Sequence, residues 1–419
     1  METNYFCSQR YFMRLTIHHV LVLACFLLLS CAFCLISCES EQEHLKPEPY
    51  QVLDSILSTH EVVFKEAVNE MLEDVGLTQD DPKPYKQEID LAALRARKYK
   101  AYVITYHTTD PHGRPVIASG VVYYPKSGRA RGVIEAVPFN KNKYKCPSKQ
   151  LANLEVMQGM AGFIVLVPDL IGCGSTESML IPYLYIDNIA KVSADFRRAA
   201  TELIRNVYGL PMPEWTMISG ISLSASEALA LARHYHIHPE LGVKVNQVWI
   251  AGGAYNPQLV IDSQLRTCHS EYAFFPNVLC SVNHYDGLGL NLKDMFRGEL
   301  KEHYEEWCTG YMPILDLTKR LGTDLNSYLN MDYFNEENPN YLSLKNSFAK
   351  FAVPNDWVPS CEIHIYHGKN DTFVPIECSE QLVEYLKSVG ADVHYVETDE
   401  GHFETTIIMG VDMVKLLYM

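Results

Sequence analysis

From residue 132 onward the chain alternates short, continuously apolar, β-branched runs with helix-forming stretches, and few architectures accept that rhythm. The runs lie at 133–137, 162–167, 215–219, 243–250, 362–366 and 393–396, and the clearest helices between them at 186–207 and 224–235. A strand that is apolar along its whole length is covered on both faces. Such strands joined through helices predict an α/β fold, with a mostly parallel central sheet and helices on both faces. Ahead of this region, runs 99–107 and 116–124 flank the turn-forming Asp110-Pro111-His112-Gly113, which predicts an antiparallel hairpin and hence a mixed sheet. Further upstream, Val52, Ile56, Val63, Phe64, Val68, Met71 and Leu72 recur at helical spacing and predict one or two N-terminal helices over 50–75.

One interval breaks the rhythm. Residues 256–356 hold no comparable strand but many aromatics, among them Tyr272, Phe274, Phe275, Trp307, Tyr328 and Phe334. Long connections in compact domains are usually lids or binding loops, so this interval reads as a helical cap over the carboxyl edge of the sheet. The plainer alternative is a connection packed away from that edge. The aromatics fit a pocket lining or, more simply, the cap's own core. The chain then divides into a leader (1–38), an N-terminal linker with helices (39–97), a first part of the core (98–255), the cap (256–356) and the rest of the core (357–419).

The formal net charge of -16 excludes nucleic acid as an expected partner, since phosphate binding needs clustered Lys and Arg. The leader has the pattern of an export signal. Arg10 and Arg14 precede an apolar run over 15–36, and Glu39, Glu41 and Glu43 follow at once. Met13 would open a leader of ordinary length. The run ends in Leu35-Ile36-Ser37-Cys38, which resembles the bacterial lipobox, whose cysteine is acylated; Leu28-Leu29-Ser30-Cys31 is a competing register. The expectation is an exported protein lipid-anchored through Cys38, an outer-membrane lipoprotein facing the periplasm or the cell surface. A secreted protein and an uncleaved spanning anchor are the alternatives. Export permits disulfides, with pairs within Cys268, Cys280 and Cys308 expected. None of the seven cysteines after residue 38 forms a Cys-x-x-Cys pair, which argues against a zinc site.

The candidate chemistry starts where run 215–219 meets Gly220-Ile221-Ser222-Leu223-Ser224 and the helix-forming 225–232. A Ser on so tight a turn needs small neighbours two before and two after it, and Gly220 and Ser224 satisfy this. Taken alone, the pattern also describes a core-facing Ser in an ordinary turn. The strand before and the helix after favour a nucleophile elbow, with helix N-terminal amides aimed at a developing oxyanion. The chain then supplies a carboxylate at a strand end, in His367-Gly368-Lys369-Asn370-Asp371, and 31 residues later an imidazole, in Gly401-His402. Hydroxyl, carboxylate and imidazole in this chain order are the parts of nucleophilic catalysis, the acid orienting the imidazole that takes the Ser proton.

These segments, together with Val167-Pro168-Asp169-Leu170-Ile171-Gly172-Cys173-Gly174-Ser175, Ile181-Pro182-Tyr183, Ala251-Gly252-Gly253-Ala254-Tyr255 and Val374-Pro375, span about residues 98 to 415. Over that length the chain resembles the α/β-hydrolase superfamily, and within it secretory lipases and esterases related to prolyl-oligopeptidase-like hydrolases. The resemblance implies an α/β-hydrolase fold, cleavage of small-molecule carboxylic esters through Ser222, Asp371 and His402, and no cofactor or metal. It also implies an oxyanion hole whose first donor is the Leu223 amide. The family's His-Gly at the end of the third strand is absent, and Ala136-Val137-Pro138-Phe139-Asn140 stands there. Pro138 has no N–H, so the second donor is expected at Phe139 or Asn140. A serine peptidase of the prolyl or dipeptidyl-peptidase type would use the same triad, and a non-catalytic binding protein on this fold is a further alternative.

Other polar residues take plainer readings. His234, His236 and His238 sit at a helix end, where residues two apart do not share a face. Asp169 precedes the Ser and is expected to brace the Gly172-Cys173-Gly174 turn. His364 and His394 read as sheet residues, and His367 as a strand-end residue that could approach the site without a catalytic role.

Overall fold

The computed structural model describes residues 45–62, 98–126, 129–139, 141–151, 155 and 161–418; Cys38 and the leader lie outside them. The hairpin forms as its sequence dictates. Strands β2 (Tyr99–Thr109) and β3 (Pro115–Pro125) pair antiparallel from Tyr99↔Pro125 to Thr109↔Pro115. Asp110 closes the turn by accepting the amides of His112 and Arg114, each at 2.9 Å.

The apolar runs become β4 (Val133–Ala136), β5 (Ile164–Pro168), β6 (Thr216–Ile221), β7 (Gln247–Ala251), β8 (Glu362–Gly368) and β9 (Val393–Thr398). These six strands are mutually parallel where they pair, and β3 joins them antiparallel through β5. Helices α1 (Ile186–Tyr208) and α2 (Leu223–Ile237) cover one face, packing Phe196, Leu203, Leu229 and Leu231 onto it. On the other face, the last helix brings Met409 and Met413 against Ile134, Met217 and Trp249.

The N-terminal helix reading is corrected over its first half. Residues Leu53–Val62 form an edge strand, β1, antiparallel to β2, and residues 63–75 of that reading lie outside the described residues. The physical reason is the open edge of β2. A helix here would leave a row of β2 amides and carbonyls unpaired, whereas the strand pairs them and buries Val52, Leu53 and Val62 at its ends. Glu202 of α1 secures the entry by accepting the amides of Gln51 and Val52, both at 3.1 Å, and of Leu53 at 2.9 Å. Among the described residues the sheet has nine strands, in the order β1-β2-β3-β5-β4-β6-β7-β8-β9.

Between β7 and β8 the chain is helical, from Pro257–Thr267 to Pro339–Ala349, with no strand of the sheet. Phe275, Trp307, Tyr328, Phe334, Tyr341 and Phe348 bury one another there, so most of the cap's aromatics make its own core. That core also takes in Ile181, Tyr183 and Leu223, which seats the cap on the elbow. The seven cysteines of the described residues are free thiols. Cys280 and Cys308 meet inside the cap, where the hydrogen bond of the Cys308 thiol to Cys280 and burial push that thiol well above its ordinary range. Cys268 instead turns to the Leu265 carbonyl.

Beneath the parallel half lies a buried charge network. Glu135 of β4 accepts from Arg197 Nη1 of α1 at 2.6 Å and from the Tyr235 hydroxyl of α2 at 2.8 Å, and Arg197 Nη2 reaches Thr216 Oγ1 at 3.1 Å. Both charges are nearly inaccessible, with side chains 7% and 4% exposed. Burial pushes the Glu135 carboxyl up, partly offset by Arg197 and Tyr235. Replacing Arg197 by Leu strands the carboxylate, so unfolding in urea is expected to show a loss of about 3–5 kcal/mol. Unchanged stability would mean that the pair contributes nothing to the fold.

Candidate functional site

Strand β6 ends at Ile221, and Ser222 turns the chain directly into α2 with φ 57 and ψ -126. That backbone is strained for any residue with a Cβ. It is held by the Ser222 amide, which donates to the Ala251 carbonyl of β7 at 2.8 Å. The elbow is so tight that a Cβ on Gly220 would lie 2.1 Å from the Ser224 carbonyl oxygen. Ser224, standing where relatives of this pattern carry Gly, has a use of its own. Its hydroxyl donates to the Pro138 carbonyl at 2.7 Å and accepts from Lys141 Nζ at 3.2 Å. Lys141 in turn donates to Glu227 at 2.8 Å, both side chains being buried. The departure from Gly thus fastens the loop after β4 to the elbow.

Asp371 follows β8, and His402 opens the last helix (His402–Tyr418), after β9. His402 Nδ1 donates to Asp371 Oδ2 at 2.6 Å. Asp371 Oδ1 accepts the amides of Phe373 at 2.9 Å and Val374 at 2.8 Å. Burial pushes the Asp371 carboxyl up, but hydrogen bonds from His367 and His402, the charge of His402 and the Val374 amide outweigh it and hold the group well below the usual carboxylate range. Asp371 is therefore ionised wherever His402 needs an acceptor. Asp371 and His402 meet beside Gly252, the residue after the Ala251 carbonyl that binds the Ser222 amide. A Cβ there would sit 2.9 Å from His402 Cε1 and 3.6 Å from Asp371 Oδ2. Ser222 itself is 9% exposed and His402 4%.

The expected oxyanion donors fare unequally. Leu223 is the first residue of α2, so its N–H is one of the helix amides without an intrahelical acceptor. The Phe139 amide donates to the Glu155 carboxylate at 2.8 Å, which removes it as a free donor. Asn140 lies outside the described residues. Phe139 instead offers its ring. With Tyr272 from the cap, Phe373 and Phe403, it forms an edge-to-face aromatic collar about His402, the Phe373 ring lying 5.4 Å from the imidazole.

His367 belongs to the site after all. It is fully buried, with Nε2 3.0 Å from the Val374 carbonyl and 3.4 Å from Asp371 Oδ2, while Nδ1 meets Ser379 Oγ at 2.6 Å. Two acceptors at Nε2 make it the protonated nitrogen, so His367 donates toward the carboxylate and fixes its position. Its place in His367-Gly368 before the acid was the available signal. Lys141 and Glu227, 86 residues apart, gave none. Asp169 braces its turn as expected, accepting from the Ser119 hydroxyl and the Ser148 amide beneath Gly174. His234 packs on His238 with centroids 4.4 Å apart, while His236 faces Trp357 instead.

The whole architecture matches solved structures. A candidate hydrolase from Legionella pneumophila aligns at TM-score 0.73 and 18% identity, over 88% of this chain and 97% of that one. The rice cell wall degrading esterase LipA from Xanthomonas oryzae aligns at 0.68 and 18%, over 87% and 96%. The chain has the α/β-hydrolase fold. Candida antarctica lipase A shares it more distantly, at 0.58 and 11% over 85% and 81%. No protein-family model and no curated protein matches the chain.

In this fold the strain at Ser222 is separable from its chemistry. Ser222→Gly accepts φ 57 without a Cβ, and urea unfolding is expected to show a gain of about 1 kcal/mol. Ser222→Ala keeps the Cβ and gains nothing. Equal stability of the two variants would show the turn to be unstrained.

Proposed function

We propose that this protein is a serine hydrolase of carboxylic esters, with Ser222 as nucleophile, His402 as general base and then acid, and Asp371 as the group that orients the imidazole and stabilises its charged form. The observation that carries this reading is the convergence around Gly252 of the strained Ser222 turn and the 2.6 Å Asp371–His402 pair. With Nδ1–H held by Asp371, the free His402 Nε2 takes the Ser222 proton as Oγ attacks the ester carbonyl. The oxyanion forms beside the Leu223 amide at the positive end of α2. His402 then protonates the leaving alcohol, activates water against the acyl-enzyme, and the acid departs. An esterase and a lipase among the structures of like fold support an ester as substrate class. The aromatic collar favours an apolar acyl or alcohol group beside His402. Because Ser222 is buried under a cap seated on Leu223, the ester reaches it by displacing cap residues.

Ser222→Ala and His402→Ala are each expected to lower p-nitrophenyl butyrate hydrolysis by at least about 10⁴-fold, with circular dichroism unchanged. Turnover near that of the wild type in either variant would overturn the assignment. An aminoacyl amide assayed alongside should stay uncleaved, since a peptidase would cleave it.

For the cell we propose an exported protein anchored by acylation of Cys38, on the strength of the leader and lipobox. Among the described residues no helix is long and apolar enough to cross a membrane. Cells given labelled palmitate should label the wild-type chain and not Cys38→Ser; equal labelling would reject Cys38 as the acylated residue.

A further inference from the structure

At the end of β8 far from Asp371, Glu362, His364 and His394 bring a carboxylate oxygen and two imidazole nitrogens within 4.8 Å of one another. The strands dictate this meeting. Side chains two apart on a strand share a face, so Glu362 and His364 point the same way, and His364 is paired in register with His394 of β9. The two rings are stacked, 4.6 Å apart and 11° from parallel, so the half-exposed His394 ring would have to turn to aim its in-plane lone pair at an ion shared with His364. Trp249 of β7 stacks on His364 at 4.0 Å and fixes its plane, while Gln247 Nε2 holds Glu362 Oε2 at 2.8 Å. Asp392, on the same face as His394, places Oδ1 3.4 Å from His394 Nε2.

His364 Nε2 is the atom that points to a ligand. It is buried without a hydrogen-bond partner. Its nearest anion, Glu362 Oε2, lies 3.6 Å away, beyond a normal hydrogen bond. Donor atoms about 2.1 Å from a tetrahedral ion lie about 3.4 Å from each other. The separation is thus close to that of two ligands on one ion. Two imidazoles with one carboxylate suit a borderline cation, whereas Mg²⁺ and Ca²⁺ want oxygen alone.

We propose that Glu362, His364 and His394 bind a first-row divalent transition ion, zinc in the first place, which ties the start of β8 to the edge strand β9. Asp392 is the carboxylate that orients His394. This departs from the sequence expectation of two ordinary sheet histidines and no metal. The ion would be structural. His364 lies four residues before Gly368, about 13 Å along the strand, so the site stands apart from Ser222. Its effect is on the edge strand that leads into His402.

The test uses the full chain, stripped with a chelator and carrying no histidine tag. It is titrated with Zn²⁺ by calorimetry and with Co²⁺ by visible absorption. One ion per chain, a tetrahedral Co²⁺ spectrum, a Tm raised by Zn²⁺ and no competition from Mg²⁺ are expected. His394 is half exposed, so His394→Ala should fold normally and weaken Zn²⁺ binding by at least about 10–100-fold. Glu362→Gln should weaken it as well. Absence of stoichiometric binding by the wild type, or binding unchanged in His394→Ala, would overturn the proposal. So would binding that disappears in His236→Ala instead, since that would place the ion at the helix end.

Discussion

Much of this molecule is organised around a backbone conformation that its own sequence disfavours. Ser222 sits at φ 57 with a Cβ, at a conformational cost of the order of 1–3 kcal/mol, and it stays there because its surroundings leave no other path. The strand behind it is locked between β4 and β7, and its amide is tied to Ala251. The helix ahead packs so close that Gly220 tolerates no side chain. The large core around α1 and α2 outweighs this cost.

Asp371 shows the same use of surroundings in electrostatic form. Burial alone would favour its neutral acid, which would donate to His402 where it needs to accept. Two amides, His402 and the buried His367 reverse that preference. His367 is itself held from behind by Ser379 and the Val374 carbonyl, so the carboxylate sits in a cradle in which each member has a fixed partner. The histidine that precedes the acid in the chain thus contributes to the site without touching a reacting atom.

Buried charge recurs away from the triad. Arg197 and Glu135 lock α1 and α2 to β4, and Lys141 and Glu227 lock the loop after β4 to the elbow helix. Each pair gives up hydration, and a third polar group joins each: Tyr235 donates to Glu135, and Ser224 accepts from Lys141, while Glu227 Oε1 stays without a partner. Both networks bear on elements that position Ser222.

The sequence by itself determined the alternation of buried strands and helices, the hairpin and the long helical connection between β7 and β8, and it supplied Ser222, Asp371 and His402 as candidates by their chain order. Those features rest on local periodicity, turn chemistry and chain order, which are written in neighbouring residues. It misread Leu53–Val62, because the edge of β2 that pairs with it lies some forty residues away and outweighs helical spacing. It also proposed the Phe139 amide as a donor, and only the folded chain brought Glu155 to that amide. His367 under Asp371, Lys141 on Glu227 and the Glu362–His364–His394 cluster were likewise decided by tertiary structure. Each depends on which residues of separate elements come to share one side of the sheet, and register between strands distant in the chain is set by the packing of the whole core.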